Sequence, residues 1–116
     1  MKRRFRLTRS TDFKRVRSNG KSYAHPLVVL YVMLSDQAVT RVGVTATRTI
    51  GNAVRRNRAK RLLRAAMADL MPETVPGCDL LLVARTPLPL ADFSQARTAL
   101  ASLLQRAGLL VSSHGG

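Results

Sequence analysis

Acidic residues are scarce in this sequence. Only six of its 116 residues are Asp or Glu, against twenty Lys or Arg, and the formal net charge is +14. The acids stand singly, and Asp69 and Glu73, four residues apart, are separated by Pro72, which ends a helix. The chain therefore offers no carboxylate pair for acid–base or two-metal chemistry. This argues against an enzyme with its own catalytic residues.

Cysteine, histidine and aromatic residues are also few. Cys78 is the only cysteine, which excludes disulfides within the chain and cysteine-based zinc sites, and the apolar run after it predicts a buried strand residue. His25 precedes a proline and His114 lies near the C-terminal end, so neither suits a general base. The five aromatics form no paired stacking strips of an RNA-recognition sheet. We expect no catalytic residue and no metal site on this chain.

Long apolar runs are absent as well. None approaches the roughly 20 residues of a transmembrane helix, and the basic start is not followed by the apolar segment of a signal peptide. We expect a cytoplasmic protein with no membrane partner. The length and apolar content favour one domain over residues 1–116, with 1–9 a basic mobile arm and 108–116 a frayed tail.

What the sequence has in excess is clustered positive charge. Residues 1–64 contain 17 of the 20 Lys and Arg, and their net charge is +15, whereas residues 65–116 carry −1. Arginine dominates, and its planar fork contacts phosphate with two N–H groups. A nucleic-acid backbone is the partner that this pattern predicts.

The segment from Gly51 to Arg64 carries six of these cations and no acid. At 100° per residue, one side of a helix here holds Ala59, Leu62, Leu63, Ala66 and Leu70, with Arg55 near its start. The other side holds Arg56, Asn57, Arg58, Lys60, Arg61 and Arg64. Like charges four residues apart destabilise an isolated helix by about 0.2–0.5 kcal/mol per pair. A bound polyanion would reverse that penalty, so we predict a phosphate-binding face; a solvated basic face is the alternative.

Hydrophobic periodicity predicts seven elements in the order α-β-β-β-α-β-α. The predicted helices are 12–17, 52–71 and a last one that begins at Asp92 or Ser94 and runs to about 107, with an apolar stripe of Phe93, Ala96, Leu100, Leu103 and Leu104. The predicted strands are 21–25, 27–34, 39–46 and 78–85. The second and third are expected to form an antiparallel hairpin, and the last to be buried on both faces. This implies an α/β or α+β sandwich with helices packed on a central sheet, of which we favour α+β.

Several short motifs occur in a fixed order along the chain. Arg-Val-Gly-Val (41–44) leads through a Ser/Thr/basic connector into Ile50–Arg64, with Arg56-Asn57-Arg58 at its centre. Flanking motifs are Arg6-Leu7, Asp12-Phe13-Lys14-Arg15-Val16, Gly20-Lys21-Ser22, Leu30-Tyr31-Val32 and the apolar strand at 79–84. Over about residues 5–106 this pattern resembles the bacterial ribonuclease P protein subunit.

The resemblance implies a protein cofactor of the ribonucleoprotein endonuclease that removes the 5′ leader of precursor transfer RNA. In that family the RNA subunit performs the reaction with Mg²⁺, so the resemblance implies no cofactor bound by the chain alone and no small-molecule substrate. It implies docking on the catalytic RNA through Arg48, Asn52, Arg55, Arg56, Asn57, Arg58, Lys60, Arg61 and Arg64. It implies a leader-binding cleft between the first helix and the sheet, formed by Phe13, Val16, Arg17 and Tyr31. A four-stranded mixed sheet and a left-handed β-α-β crossover are also implied, although such crossovers are usually right-handed.

Three positions depart from the family pattern. Arg17 stands where a second aromatic is common, Thr49 where a second lysine would follow position 48, and Ala65 where an acid often follows. Arginine can also stack, so the cleft is expected to survive with a different preference. The alternatives left open are a non-catalytic RNA-binding protein of the ribosomal type, a protein-only nuclease, and, for Phe13 and Tyr31, ordinary core positions.

Overall fold

The computed structural model describes residues 3–111. Its elements follow the predicted order: α1 (Ser10–Asn19), β1 (Lys21–Ala24), β2 (Val28–Leu34), β3 (Arg41–Thr45), α2 (Ala53–Leu70), β4 (Cys78–Ala84) and α3 (Phe93–Arg106). The four strands form one mixed sheet, so the α+β class is confirmed. The predictions for residues 1–2 and 112–116, including His114, lie outside the described residues.

The sheet order is β1-β2-β4-β3, so the predicted hairpin of β2 and β3 is wrong. β2 pairs antiparallel with β1 and β4, and β3 pairs parallel with β4. The reason lies in β4, in which Leu80, Leu81 and Leu82 are all buried. A strand that is apolar on both faces is most stable at the centre of a sheet with a layer on each side. β4 therefore inserts between two strands that are neighbours in sequence.

Helices cover the two faces of the sheet unequally. α2 and α3 pack on one face and form the main core, to which α2 contributes Ala59, Leu63, Ala66, Met67 and Leu70. α1 packs on the other face over a smaller cluster of Leu7, Val16 and Leu81. β3, α2 and β4 make the expected parallel crossover, whose hand stays a prediction.

The two long helices begin at side-chain caps. The Asn52 side chain accepts a hydrogen bond from the Arg55 N–H at 3.0 Å, and Asp92 caps α3 in a reciprocal capping box with Gln95. Phe93 does not belong to the buried stripe, because it is the first residue of α3 and is 42% exposed. The buried stripe begins one turn later, at Ala96.

Both ends of the described chain are held more firmly than the sequence predicted. In the expected mobile arm, Arg6 forms a parallel bridge with Val42, and the Leu7 N–H donates to the Val42 carbonyl at 2.9 Å. Leu7 is an apolar side chain within a basic segment, and its burial holds the arm against β3. In the expected frayed tail, Leu110 bridges Thr74, and Leu109 is buried. Among residues 3–111 no helix is long and apolar enough to cross a membrane.

Candidate nucleic-acid interface

The exposed side of α2 carries a shallow groove of about 430 Å³. It is lined by Val54, Asn57, Lys60, Arg61 and Arg64. Burial of the apolar side of α2 fixes which residues face outward. The ion pairs within residues 3–111 involve only Arg15, Arg41 and Arg97 as cations, so the cations of this groove have no acidic partner there. We call these five residues the α2 groove; its chemistry suits a phosphate backbone.

Arg56 and Arg58, which flank Asn57, are bonded to the protein itself. One Nη of Arg56 donates to the Gly51 carbonyl at 2.7 Å. Arg58 donates from Nε to the Pro89 carbonyl at 2.7 Å and from Nη2 to the Ala91 carbonyl at 3.4 Å. Arg58 therefore ties α2 to the loop before α3. The three central residues of the motif divide into two anchors and one outward-facing amide.

This division predicts different effects on stability for two arginines of the same helix. Arg58→Ala should lower the free energy of unfolding by about 1 kcal/mol, because it removes the bond from α2 to the Pro89 carbonyl. Arg61→Ala is the matched control and should change it by less than about 0.5 kcal/mol. Urea denaturation followed by circular dichroism measures both. Equal losses would contradict the anchoring role of Arg58.

The remaining predicted docking residues lie at the start of α2. Arg48 and Arg55 are exposed, whereas Asn52 serves as the helix cap. Gly51 has a φ of +131°, which L side chains rarely adopt, and a Cβ there would lie 2.8 Å from Cδ of Arg55. Gly51 thus lets the chain turn sharply into the helix with Arg55 packed over it.

A second surface lies where α1 crosses the opposite face of the sheet. Ser22, Tyr31, Leu81 and Gly43 are successive register partners across the four strands, and paired residues project to the same face. The Phe13 ring rests on Gly43, where an added Cβ would lie 2.6 Å from its Cε1. One turn along α1, the Arg17 guanidinium lies over the Tyr31 ring. The structure therefore brings Phe13, Arg17 and Tyr31 to one face.

Val16 differs from the other three residues of the predicted cleft. It is fully buried between Phe13 and Arg17 in the cluster with Leu81, so it offers no surface to a ligand and supports the cleft from below. Phe13 and Tyr31 are half-buried, which is compatible with both packing and ligand contact. We call Phe13, Arg17 and Tyr31 the leader cleft, after the ligand that the sequence predicts for it.

Sequence reasoning missed the floor beside this cleft. Val29 lies two residues before Tyr31, and its register partner is Val83. Both valines are half-buried, and residues two apart in a strand share a face. The alternation of Val29 with Tyr31 was the available signal. It could not be used because the strand order, which places Val83 next to Val29, was unknown.

The two predicted surfaces meet at one groove. A pocket of about 250 Å³ at the edge of β3 is lined by residues that include Arg6, Thr8, Phe13 and Arg64. Arg64 belongs to the α2 groove and Phe13 to the leader cleft. Residues of both surfaces therefore line one pocket, whose cations are Arg6 and Arg64.

A buried carboxylate that the sequence did not reveal holds α1 on the sheet. Asp79 of β4 is 1% exposed, and it accepts hydrogen bonds from Arg41 at 3.0 and 3.1 Å and from Arg15 at 2.8 Å. Burial alone would raise the pKa of Asp79, but the bonds from Arg41 and Arg15 outweigh it and hold that pKa below its usual value. The hydrogen bond to Asp79 also favours the charged guanidinium and so raises the pKa of Arg15. We call Arg15, Arg41 and Asp79 the arginine–aspartate cluster.

The residues that could take part in metal or nucleophilic chemistry are few. No group of three His, Cys, Asp or Glu within residues 3–111 could hold a metal ion. Cys78 is buried as predicted, and burial raises the pKa of its thiol, which disfavours the reactive thiolate. Within residues 3–111, neither a metal-binding group nor an activated thiol is therefore found.

Comparisons of sequence agree on one family. A family model described as Ribonuclease P matches residues 1–108. The Ribonuclease P protein component of Chloroflexus aurantiacus is 37% identical over 111 residues, which cover 95% of this chain and 82% of the relative. The protein of the same name from Shouchella clausii is 35% identical over 116 residues, covering 99% and 95%.

Comparisons of structure agree with those of sequence. The RNase P protein of Staphylococcus aureus matches with a TM-score of 0.82 at 26% identity, covering 91% of this chain and 97% of that one. The RNase P protein of Thermotoga maritima matches with a TM-score of 0.78 at 28% identity, covering 87% and 96%. The similarity in both cases extends over nearly the whole fold.

Proposed function

The chain belongs to the ribonuclease P protein family, and we propose how it acts as a subunit of the enzyme that processes the 5′ end of transfer RNA. It binds the catalytic RNA through α2. It binds the 5′ leader of precursor transfer RNA through the leader cleft. The protein contributes affinity and position, and the RNA subunit contributes the reacting groups. The observation that carries this proposal is the α2 groove, where clustered cations face outward with no acidic partner among the described residues.

The docking face follows from the arrangement of α2. Lys60, Arg61 and Arg64 supply cations that form no ion pair within residues 3–111. Asn57 supplies an amide that donates and accepts hydrogen bonds. Arg48 and Arg55 extend the charge toward the start of the helix. Arg56 and Arg58 are bonded to backbone carbonyls, yet each guanidinium has five N–H donors. Each therefore keeps donors for phosphate while its position is fixed by the protein.

We assign the Mg²⁺ that the reaction requires to the RNA subunit. The acids nearest the leader cleft, Asp12 and Asp79, are hydrogen-bonded to arginines, and the surrounding surface is strongly basic. Such a donor set does not fit a divalent cation. The chain instead neutralises phosphates. Fewer cations from solution are then needed to screen the repulsion between the catalytic RNA and its substrate.

The proposal is tested by cleavage of precursor transfer RNA with the chain alone, with the catalytic RNA alone and with both together. At low Mg²⁺ concentration we expect cleavage of the 5′ leader only when the RNA subunit is present, and stimulation when the chain is added. Cleavage by the protein alone would support a protein-only nuclease instead. Binding of RNA without any stimulation would favour a ribosomal-type RNA-binding protein.

The leader cleft is suited to single-stranded RNA of varied sequence. An aromatic face and nearby cations hold a strand without reading every base, and each stacked base contributes about 1–3 kcal/mol. Phe13 offers the ring, while Val29 and Val83 offer an apolar floor. The pocket that joins Phe13 to Arg64 supports a continuous path from leader to catalytic RNA.

Phe13→Ala should weaken binding of precursor transfer RNA by about 1–3 kcal/mol, because a stacked base loses its partner. Mature transfer RNA, which has no leader, should bind as before. Equilibrium binding of both RNAs to the reconstituted holoenzyme measures the difference. Phe13→Leu is the control for packing, since it keeps an apolar side chain over Gly43 but removes the aromatic face. Equal losses for precursor and mature RNA would argue against the leader cleft.

A further inference from the structure

Arg17 and Tyr31 form a cation–π pair at the end of α1. Cζ of Arg17 lies 5.8 Å from the centroid of the Tyr31 ring, within the range of such contacts. Arg17 is exposed, and the ion pairs formed within residues 3–111 involve other arginines. The nearby carboxylates of Asp12 and Asp79 are bonded to Arg15 and Arg41. The Tyr31 ring thus supports the Arg17 guanidinium, which forms no ion pair with a carboxylate of the described residues.

The surroundings of this guanidinium favour a nucleobase as its ligand. Ser22 is exposed and is the register partner of Tyr31, so a hydroxyl lies beside the ring. Val29 continues the same face as a half-buried apolar surface. A phosphate needs only charge, whereas an apolar floor, a hydroxyl and a forked donor together match the flat, partly polar edge of a base.

We propose that Arg17 is a specificity-determining residue that selects a leader base with two adjacent hydrogen-bond acceptors. Guanine presents O6 and N7 in this way, and unpaired cytosine presents O2 and N3 on its Watson–Crick edge. On the corresponding edges of adenine and uracil, each acceptor has a hydrogen-bond donor as its neighbour, so two adjacent acceptors are missing. The guanidinium fork donates two parallel N–H bonds and so discriminates guanine and cytosine from adenine and uracil. This inference rests on the proposed leader cleft.

The test uses the reconstituted holoenzyme and precursor transfer RNAs whose leaders are adenine throughout except for one base. Guanine, cytosine or uracil is placed at each leader position in turn, and binding is measured at equilibrium. At one position we expect a precursor with guanine or cytosine to bind roughly fivefold to tenfold more tightly than one with adenine or uracil. This is the lower end of the range for a bidentate pair, because the site is exposed. Replacing guanine by 7-deazaguanine, which lacks the N7 acceptor, should abolish the gain if guanine is the ligand. A gain in affinity with cytosine instead of guanine would identify cytosine as the base that Arg17 binds.

Arg17→Lys is the decisive variant. It keeps the positive charge in the last turn of α1, where a cation stabilises the helix end, but loses the fork. We expect the base preference to disappear while the precursor still binds more tightly than mature transfer RNA. Retention of the preference in Arg17→Lys would overturn the role of Arg17. If all four bases give equal binding and the precursor still binds more tightly than mature transfer RNA, this inference alone is overturned. If the unaltered protein binds precursor and mature transfer RNA equally, the proposed cleft is overturned as well.

Discussion

A variant with Lys60, Arg61 and Arg64 all changed to alanine is expected to bind the catalytic RNA roughly 100- to 500-fold more weakly at about 0.1 M salt. Each phosphate contact contributes about 0.7–0.9 logarithmic units of affinity per decade of salt, and three contacts are removed. The fold should be preserved, because alanine is the best helix former and the like-charge repulsion along α2 is relieved. Titration of labelled RNA at several salt concentrations measures the effect.

The salt dependence separates docking by phosphate contacts from general attraction. If the intact chain neutralises about six phosphates, the slope of log affinity against log salt should be roughly −4 to −5, and the triple variant should lose about 2–3 of that slope. A control variant removes the same charge from Lys14, Arg85 and Arg106, which lie outside the α2 groove. Similar losses in both variants would mean that net charge, rather than the groove, accounts for binding.

Asp79→Ala is expected to have the largest effect on stability, about 3 kcal/mol. Removing one partner of a buried ion pair typically costs about 3–5 kcal/mol, because the other charge is left uncompensated. Here Arg15 and Arg41 are 35% and 28% exposed, so solvent offsets part of that loss and the lower end applies. Urea denaturation measures the change. Asp69→Ala is the control, because Asp69 forms a surface ion pair with Arg97 that is worth about 0–1 kcal/mol.

The same carboxylate predicts an acid-sensitive contribution to stability. The pKa of Asp79 is lowered in the folded protein, so its stabilisation is fully present above the unfolded pKa of about 3.9. It is lost as pH falls through the lower folded pKa. Asp79→Asn should therefore reduce the dependence of the unfolding free energy on pH in the acid range. An unchanged acid limb in this variant would contradict the linkage.

The arginine–aspartate cluster also matters for the leader cleft. Arg15 lies on α1 between Phe13 and Arg17, and its bond to Asp79 ties the helix to the central strand. Phe13 and Arg17 are thereby held over Gly43 and Tyr31. A change at Asp79 that left the protein folded should lower affinity for precursor more than for mature transfer RNA, because it would shift α1 and not α2.

Local patterns in the sequence were sufficient for the elements and for the basic side of α2. The 3.6-residue period of 52–71 predicted both the buried side of α2 and its basic side, because burial of one face dictates exposure of the other. The continuous apolar run of β4 predicted a strand buried on both faces. The motif around Arg56-Asn57-Arg58, together with the shorter motifs that flank it, indicated the family. Each of these patterns lies within one short segment of the chain.

The tertiary structure alone decided which distant residues meet. Sheet order placed β4 between β2 and β3, which brought Val83 beside Val29 and Asp79 beside Arg41. Arg15 and Asp79 are 64 residues apart in sequence, and no periodic pattern connects them. The carbonyls of Pro89 and Ala91 that hold Arg58 belong to a loop whose position depends on β4 and α3. Helical and strand periods describe one element at a time, whereas ion pairs and grooves arise from contacts between elements, and these depend on how the whole core packs.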